Sequence, residues 1–142
     1  MRIDDKDKKI LEELKQNSRQ SIRTIAKKTN IRPSTVHKRI QNLAKDGVIE
    51  KFTLKLNNKS VNENFIAIVL VKTKPGSLLD NKILEDHHVK EVFGVTGDYD
   101  LMLKLKFLDI EEFNEFLINF RKNVAIETTT TMIATINLKE EL

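Results

Sequence analysis

The chain has 142 residues, 39% of them hydrophobic, enough for one compact domain or two small ones with a buried core. It contains no cysteine, which excludes disulfides, thiolate catalysis and zinc-finger ligation, and its long apolar run FIAIVLV (65–71) falls far short of the ~20 residues that span a bilayer. The net charge of +4 divides unevenly: residues 1–60 carry sixteen Lys and Arg against seven Asp and Glu, a net of +9, and residues 61–142 carry nine against fourteen, a net of −5. That asymmetry predicts two units, the first attracted to a polyanion and the second not. The N-terminal MRIDDKDKK has no apolar signal core, so a soluble cytoplasmic protein with no membrane partner is expected.

Asp4 or Asp5 can cap a first helix running to about Asn17, with Ile10, Leu11 and Leu14 on its inner face, joined by Ile3. Ser21 can cap a second helix, with Ile22, Ile25 and Ala26 inward, that stops near Thr29 and Asn30. Asn30 suits the positive φ that a tight turn between helices requires. Pro33 then belongs to the first turn of a third helix, where its missing N–H costs nothing, with Arg32 as a poor formal N-cap. Val36, Ile40 and Leu43 recur at i, i+4, i+7 and give this helix one face to bury. It ends at Asp46-Gly47, and VIEKFTLKLN follows as an extended segment, a strand or small wing. The result is a helix-turn-helix domain over residues 1–50.

The polar NNKSVNEN (57–64) marks the boundary, so that 51–63 form a linker strand and hinge and a second domain occupies 64–142. There the pattern becomes β-α-β-β-α-β. FIAIVLVKTK reads as strand and PGSLLDNKILEDH as the start of a helix with Leu78, Leu79, Ile83 and Leu84 inward. VKEVFGVTG and the strictly alternating LMLKLKF read as strands around a DYD turn. IEEFNEFLINFRKN spaces Ile110, Phe113, Leu117 and Phe120 for a helix, and Ile126 to about Leu138 forms a last, threonine-rich strand. The fold class is α+β: a winged-helix-like helix-turn-helix domain followed by a ferredoxin-like βαββαβ domain. An open sheet face on the second domain predicts a homodimer formed by a second copy.

Ser34, Lys38, Gln41 and Lys45 point away from the third helix's apolar stripe, with Thr35, His37 and Asn42 on its flanks, and the whole face lacks a carboxylate. Major-groove base edges offer mainly acceptors, which donors of this kind read, so double-stranded DNA is the expected partner. In helix-turn-helix docking the first part of the recognition helix approaches the bases, so Ser34, Thr35, His37 and Lys38, then Gln41, are the leading candidates, while Asn42 and Lys45 lie nearer the backbone. Ser21 and Arg23 open the preceding helix, where free N–H groups suit a phosphate, and Lys27 and Lys28 add to the field. Arg32 stands where it can reach a phosphate or a guanine edge. Arg39 lies about 70° from the apolar centre and reads as a structural residue paired with an acidic side chain.

In their order and spacing, RIDDKDKKILEELKQNSRQSIRTIAKKTNI, STVHKRIQNLAKDGVIEKF and VTGDYDLMLKL resemble the leucine-responsive/asparagine-synthetase regulators, the Lrp/AsnC or feast/famine family. Two positions depart from that pattern: Asn30 replaces the usual Gly, and Arg32 replaces a Ser-like cap. RKNVAIE also lacks the Pro-Gly that often precedes the last strand. The resemblance implies a transcriptional regulator whose second domain binds a small effector, an amino acid, and assembles dimers into a higher homo-oligomer such as an octamer. It also places the effector at Gly97, Asp98, Tyr99 and Asp100, with Thr96, Leu101, Thr130 and Met132 as secondary candidates. Asp98 and Asp100 suit an ammonium group, and Gly97 permits close backbone approach.

An enzyme is not expected, and neither is a cofactor. Asp98 and Asp100 form a carboxylate pair, but the chain has no Gly-rich phosphate loop. Asp86-His87-His88 superficially resembles a metal cluster, yet adjacent histidines on a helix diverge, so no metal is expected. The serious alternative is a nonspecific architectural DNA protein without an effector response.

Overall fold

The structure, a computed structural model, describes residues 3–141. It divides into two compact units, the first extending to Leu54 and the second beginning at Lys55.

Three helices form the first unit: α1 (Asp5–Gln16), α2 (Ile22–Thr29) and α3 (Pro33–Lys45). Asp4 caps α1 through a reciprocal pair, its Oδ1 accepting from Asp7 N–H at 2.9 Å while Asp7 Oδ2 accepts from Asp4 N–H at 3.1 Å. Ser21 Oγ accepts from Thr24 N–H at 3.1 Å to cap α2. Asn30 takes the left-handed conformation at φ 56°, which lets Ile31 N–H return to Ala26 C=O at 3.2 Å and turns the chain into α3. Gly47, at φ 72°, ends α3, with Val48 N–H closing on Leu43 C=O at 2.9 Å. Ile10, Ile25, Val36 and Leu43 are fully buried. Ile10, Ile25, Ala26, Ile31 and Val36 form the core cluster, against which Leu14, Ile22 and Ile40 pack. Burial of each large aliphatic side chain contributes about 1.5–3 kcal/mol, so this stripe holds the helices together. Ile3, expected inside, is 38% exposed.

In the second unit β1 (Phe65–Thr73), β2 (Val89–Gly94), β3 (Leu101–Phe107) and β4 (Ile126–Ile133) form one antiparallel sheet in the order β2-β3-β1-β4. Helices α4 (Asn81–Leu84) and α5 (Ile110–Phe120) complete the ferredoxin-like β-α-β-β-α-β order. Alternation puts Ala67, Val69 and Val71 of β1 and Leu103 and Leu105 of β3 on the core face, where they pack with Phe113, Leu117 and Phe120 of α5. Ile68 and Leu70 alternate to the other face, cross-strand from Met102, Thr130 and Met132.

Four expectations are corrected. The helix predicted over PGSLLDNKILEDH shrinks to four residues, because Asp80 sets the N-cap late by accepting from Lys82 N–H at 3.0 Å. Leu78 and Leu84 are consequently 90% and 43% exposed, and Leu79 is the residue that reaches the core. Ile110 begins α5 at its solvent edge and is 51% exposed. The last strand stops at Ile133 rather than Leu138, because its partner β1 begins at Phe65 and offers no ladder beyond the bond from Ala134 N–H to Ile66 C=O.

The extended segment after α3, expected as a strand or wing, makes no ladder among the described residues; Phe52, Leu54 and Leu56 are each more than half exposed. A 3-10 turn at Asn58–Val61 belongs to the second unit, where Asn58 Nδ2 donates to Glu140 Oε2 at 2.9 Å. The chain after β4 thus returns to the open face of the sheet. Glu140 Oε1 sits 2.6 Å from Lys104 Nζ and 2.8 Å from Lys106 Nζ, and its Oε2 sits 2.9 Å from Lys55 Nζ. The open face is therefore apolar around Ile68, Leu70 and Met102 but ionic at Lys104 and Lys106.

Candidate nucleic-acid interface and ligand loop

Helix α3 turns its aliphatic stripe inward, so Ser34, His37, Lys38, Gln41, Asn42 and Lys45 are exposed and Thr35 is half-buried. Ser34, Thr35, Lys38 and Asn42 line one shallow cleft of about 440 Å³ together with Arg39 and Asp7. A carboxylate in that cleft runs against the donor-only face read from the sequence. Asp7, however, is only 2% exposed, and its Oδ1 accepts from Arg39 Nη1 at 2.8 Å. The same Nη1 donates to Asp4 Oδ2 at 2.8 Å. Arg39 is thus the structural residue expected, and its partners close the α1 capping box. The sequence already carried the signal for them in the Asp4-x-x-Asp7 spacing. Asp7 N–H holds the Asp4 carboxyl below its ordinary range, helped by Arg39, and the two carboxylates, Asp7 first, raise the guanidinium above its own.

At the start of α2, Arg23 is exposed, and the first N–H groups, of Ile22 and Arg23, have no acceptor among the described residues. Ser21 is committed to the cap and shares a 2.8 Å hydrogen bond with Thr24 Oγ1. Lys28 contributes less field than expected. Its Nζ lies 2.7 Å from Glu13 Oε2, and this contact is the leading cause of the lowered Glu13 pKa. Arg32 is exposed at the α3 N-terminus, where its side chain makes no cap.

The loop from Val95 to Asp100 is held by backbone bonds from Val95 N–H to Asp100 C=O and from Asp100 N–H to Val71 C=O, both 2.9 Å. Gly97 takes φ 119°, a conformation that other residues rarely adopt. Asp100 Oδ2 accepts from Thr73 N–H at 2.7 Å and from Thr73 Oγ1 at 3.0 Å, and these bonds, the backbone one first, lower its pKa. Asp100 therefore anchors the turn to β1, while Thr96 and Asp98 are exposed. The Tyr99 hydroxyl shares a hydrogen bond with Thr130 Oγ1, joining two of the expected ligand residues. Thr130 pairs with Leu70, and Met132, 48% exposed, with Ile68 on the same face. Leu101 instead pairs with Val71 and packs against the helix-side core, on the opposite face from Thr130.

Two family models account for nearly the whole chain: one described as winged helix-turn-helix DNA-binding matches residues 3–50, and one described as the Lrp/AsnC ligand binding domain matches residues 66–142. The chain belongs to the Lrp/AsnC family of transcriptional regulators. The HTH-type transcriptional regulator FL11 of Pyrococcus furiosus is 38% identical over 133 residues, 92% of this chain and 88% of that protein. Among solved structures, an AsnC family transcriptional regulator from Agrobacterium tumefaciens superposes with a TM-score of 0.91 at 25% identity, covering 97% of this chain and 94% of the other. The transcriptional regulator NMB0573 of Neisseria meningitidis, solved as a complex with L-Met, shares the fold with a TM-score of 0.88 at 20% identity, covering 99% and 94% of the two chains. The family and these relatives are regulators rather than enzymes. No helix among the described residues is long and apolar enough to cross a membrane.

Proposed function

We propose that this Lrp/AsnC regulator binds duplex DNA sequence-specifically through α3 in the cytoplasm, and that a small effector, an amino acid, alters its DNA binding or assembly. The observation that carries the reading is the free face of α3. Ser34, His37, Lys38, Gln41 and Asn42 are exposed donors, and the one carboxylate in their cleft is buried and neutralised by Arg39. Acceptor-rich major-groove edges complement that face, and exposed Arg23 and Arg32 stand where phosphates run in helix-turn-helix docking.

The effector reading rests on the family's ligand-binding domain and on the loop geometry. Gly97 leaves the backbone open to close approach, Asp98 is an exposed carboxylate for an ammonium group, and Tyr99 with Thr130 offers hydroxyls on the open sheet face. The L-Met complex of the Neisseria regulator is in keeping with an amino acid. Asp100 is assigned to loop anchoring and Leu101 to packing. A homodimer, and a higher oligomer such as an octamer, would cover the exposed apolar residues Phe93 and Met132 of that face.

Fluorescence anisotropy on the full chain, with random duplexes and with the duplex upstream of its own gene, repeated across the common amino acids, tests this reading. A sequence preference that one or more amino acids shift supports it. Equal affinity for all duplexes with no amino-acid response would establish a nonspecific architectural protein instead.

A further inference from the structure

Adjacent histidines diverge on a helix, but Asp86, His87 and His88 are not helical. In the structure α4 ends at Leu84, the three residues form a turn into β2, and the two imidazole rings lie close, centroids 3.8 Å apart and planes tilted by 39°. Both rings face one carboxylate: Asp86 Oδ1 lies 2.8 Å from His88 Nδ1 and 3.7 Å from His87 Nδ1. One ligand atom from each of the three residues lies within 4.8 Å of the other two. A tetrahedral zinc ion with bonds of about 2.0–2.1 Å needs neighbouring ligand atoms about 3.3–3.5 Å apart, so small side-chain adjustments bring this triad to that geometry.

The far side of His88 supplies a second, independent observation. Its Nε2 is buried without a hydrogen-bond partner among the described residues, although Glu112 Oε1 lies 3.3 Å away. In the tautomer whose Nδ1 donates to Asp86, Nε2 has no proton to donate to Glu112. A cation on Nδ1 selects the other tautomer, in which the ring's single proton has moved from Nδ1 to Nε2 and donates to Glu112. That is the metal–imidazole–carboxylate arrangement in which an outer carboxylate fixes the tautomer and strengthens the ligand. Phe107, stacked on His88 at 4.5 Å between centroids, already fixes the plane of the ring. The adjoining cavity of about 620 Å³ is acidic, with Asp80, Asp86, Glu112 and Glu115 against Lys82 and Lys122.

We propose that Asp86, His87 and His88 bind one divalent transition-metal ion per chain, with Glu112 as the outer-sphere partner of His88. Two imidazoles and one carboxylate suit zinc and its first-row neighbours rather than calcium or magnesium. A fourth position remains for water.

The test is titration of the chelator-treated full chain with zinc chloride by calorimetry, and with cobalt(II) followed by absorption, since tetrahedral cobalt gives strong visible bands. The expected result is one ion per chain, with zinc displacing cobalt. His87 is a solvent-exposed side chain whose loss leaves the core intact, and H87A should weaken binding by at least tenfold. E112Q, which keeps an oxygen for Leu108 N–H, should weaken it about 10–100-fold at unchanged stoichiometry. H37A, removing the third histidine of the chain, should leave the metal affinity and stoichiometry unchanged. Absence of saturable binding at one ion per chain, unaltered affinity in H87A or E112Q, or loss of binding in H37A would overturn the proposal.

Discussion

Arg39 Nη1 stands 2.8 Å from Asp7 Oδ1 and thereby joins α3 to the N-terminal cap of α1. Asp7 is almost fully buried, and that guanidinium is its partner across the two helices. Replacing Arg39 by Ala leaves a buried carboxylate facing the groove-binding face, and the expected loss is about 2–4 kcal/mol, less than for a fully buried pair because Arg39 is partly exposed. Urea unfolding followed by circular dichroism measures it; a loss within about 0.5 kcal/mol, the range of ordinary surface substitutions, would make the pair incidental.

Base reading and phosphate binding should separate by mutation. K38A or Q41A is expected to relax discrimination between duplexes, each lost base contact costing about 1–3 kcal/mol on the preferred sequence. R23A should weaken all duplexes alike and reduce the salt slope by about 1. Affinities measured on preferred and random DNA at several salt concentrations decide this, and identical behaviour of the three variants would refute the docking.

Glu140 gives the second unit a pH dependence of predictable sign. Burial opposes its charge, but Lys104, Lys106, Asn58 and Lys55 prevail and hold its pKa far below the ordinary 4.5. A depressed folded-state pKa stabilises the fold fully above 4.5, and that contribution is lost progressively as pH falls below it. E140Q should therefore cost about 1–3 kcal/mol at pH 7 and much less at pH 3. Urea midpoints of both proteins at the two pH values test this; an equal gap at both would assign the effect to packing.

The Gly97 loop should tolerate bulk but not conformation. A Cβ there meets no heavy atom within 4 Å, yet φ 119° is strained for any L-residue. G97A is expected to cost about 1–2 kcal/mol and to alter the amino-acid response measured by anisotropy. Y99F, which removes the bond to Thr130, should leave stability within about 0.5–1.5 kcal/mol of wild type while changing that response. A response unchanged in both variants would place the effector elsewhere.

Local chemistry made the first unit legible. Capping side chains, the positive-φ Asn30, Pro33 and Gly47 fix where its helices begin and end, and the 3.6-residue stripe fixes which sides meet. The second unit was legible in its order but not in its limits. β4 ends where β1 runs out of partner, which no local pattern encodes, and α4 is short because Asp80 caps it late. Leu78 and Leu84 matched the helical spacing yet lie outside the helix or at its edge. The contacts that set the sites, Arg39 with Asp7, Asp100 with Thr73, Glu140 with Lys104 and the close approach of the His87 and His88 rings, depend on side-chain direction in three dimensions, which spacing does not supply.

Whether the free face of α3 reads duplex DNA is decided by selection from a randomised duplex pool. The full chain should enrich a pseudo-palindromic site whose half-sites lie about one helical turn, 10–10.5 base pairs, or a multiple of that apart, and a K38A/Q41A double variant should lose that enrichment while still binding DNA. A pool that remains random, or the same site enriched by the double variant, would contradict it.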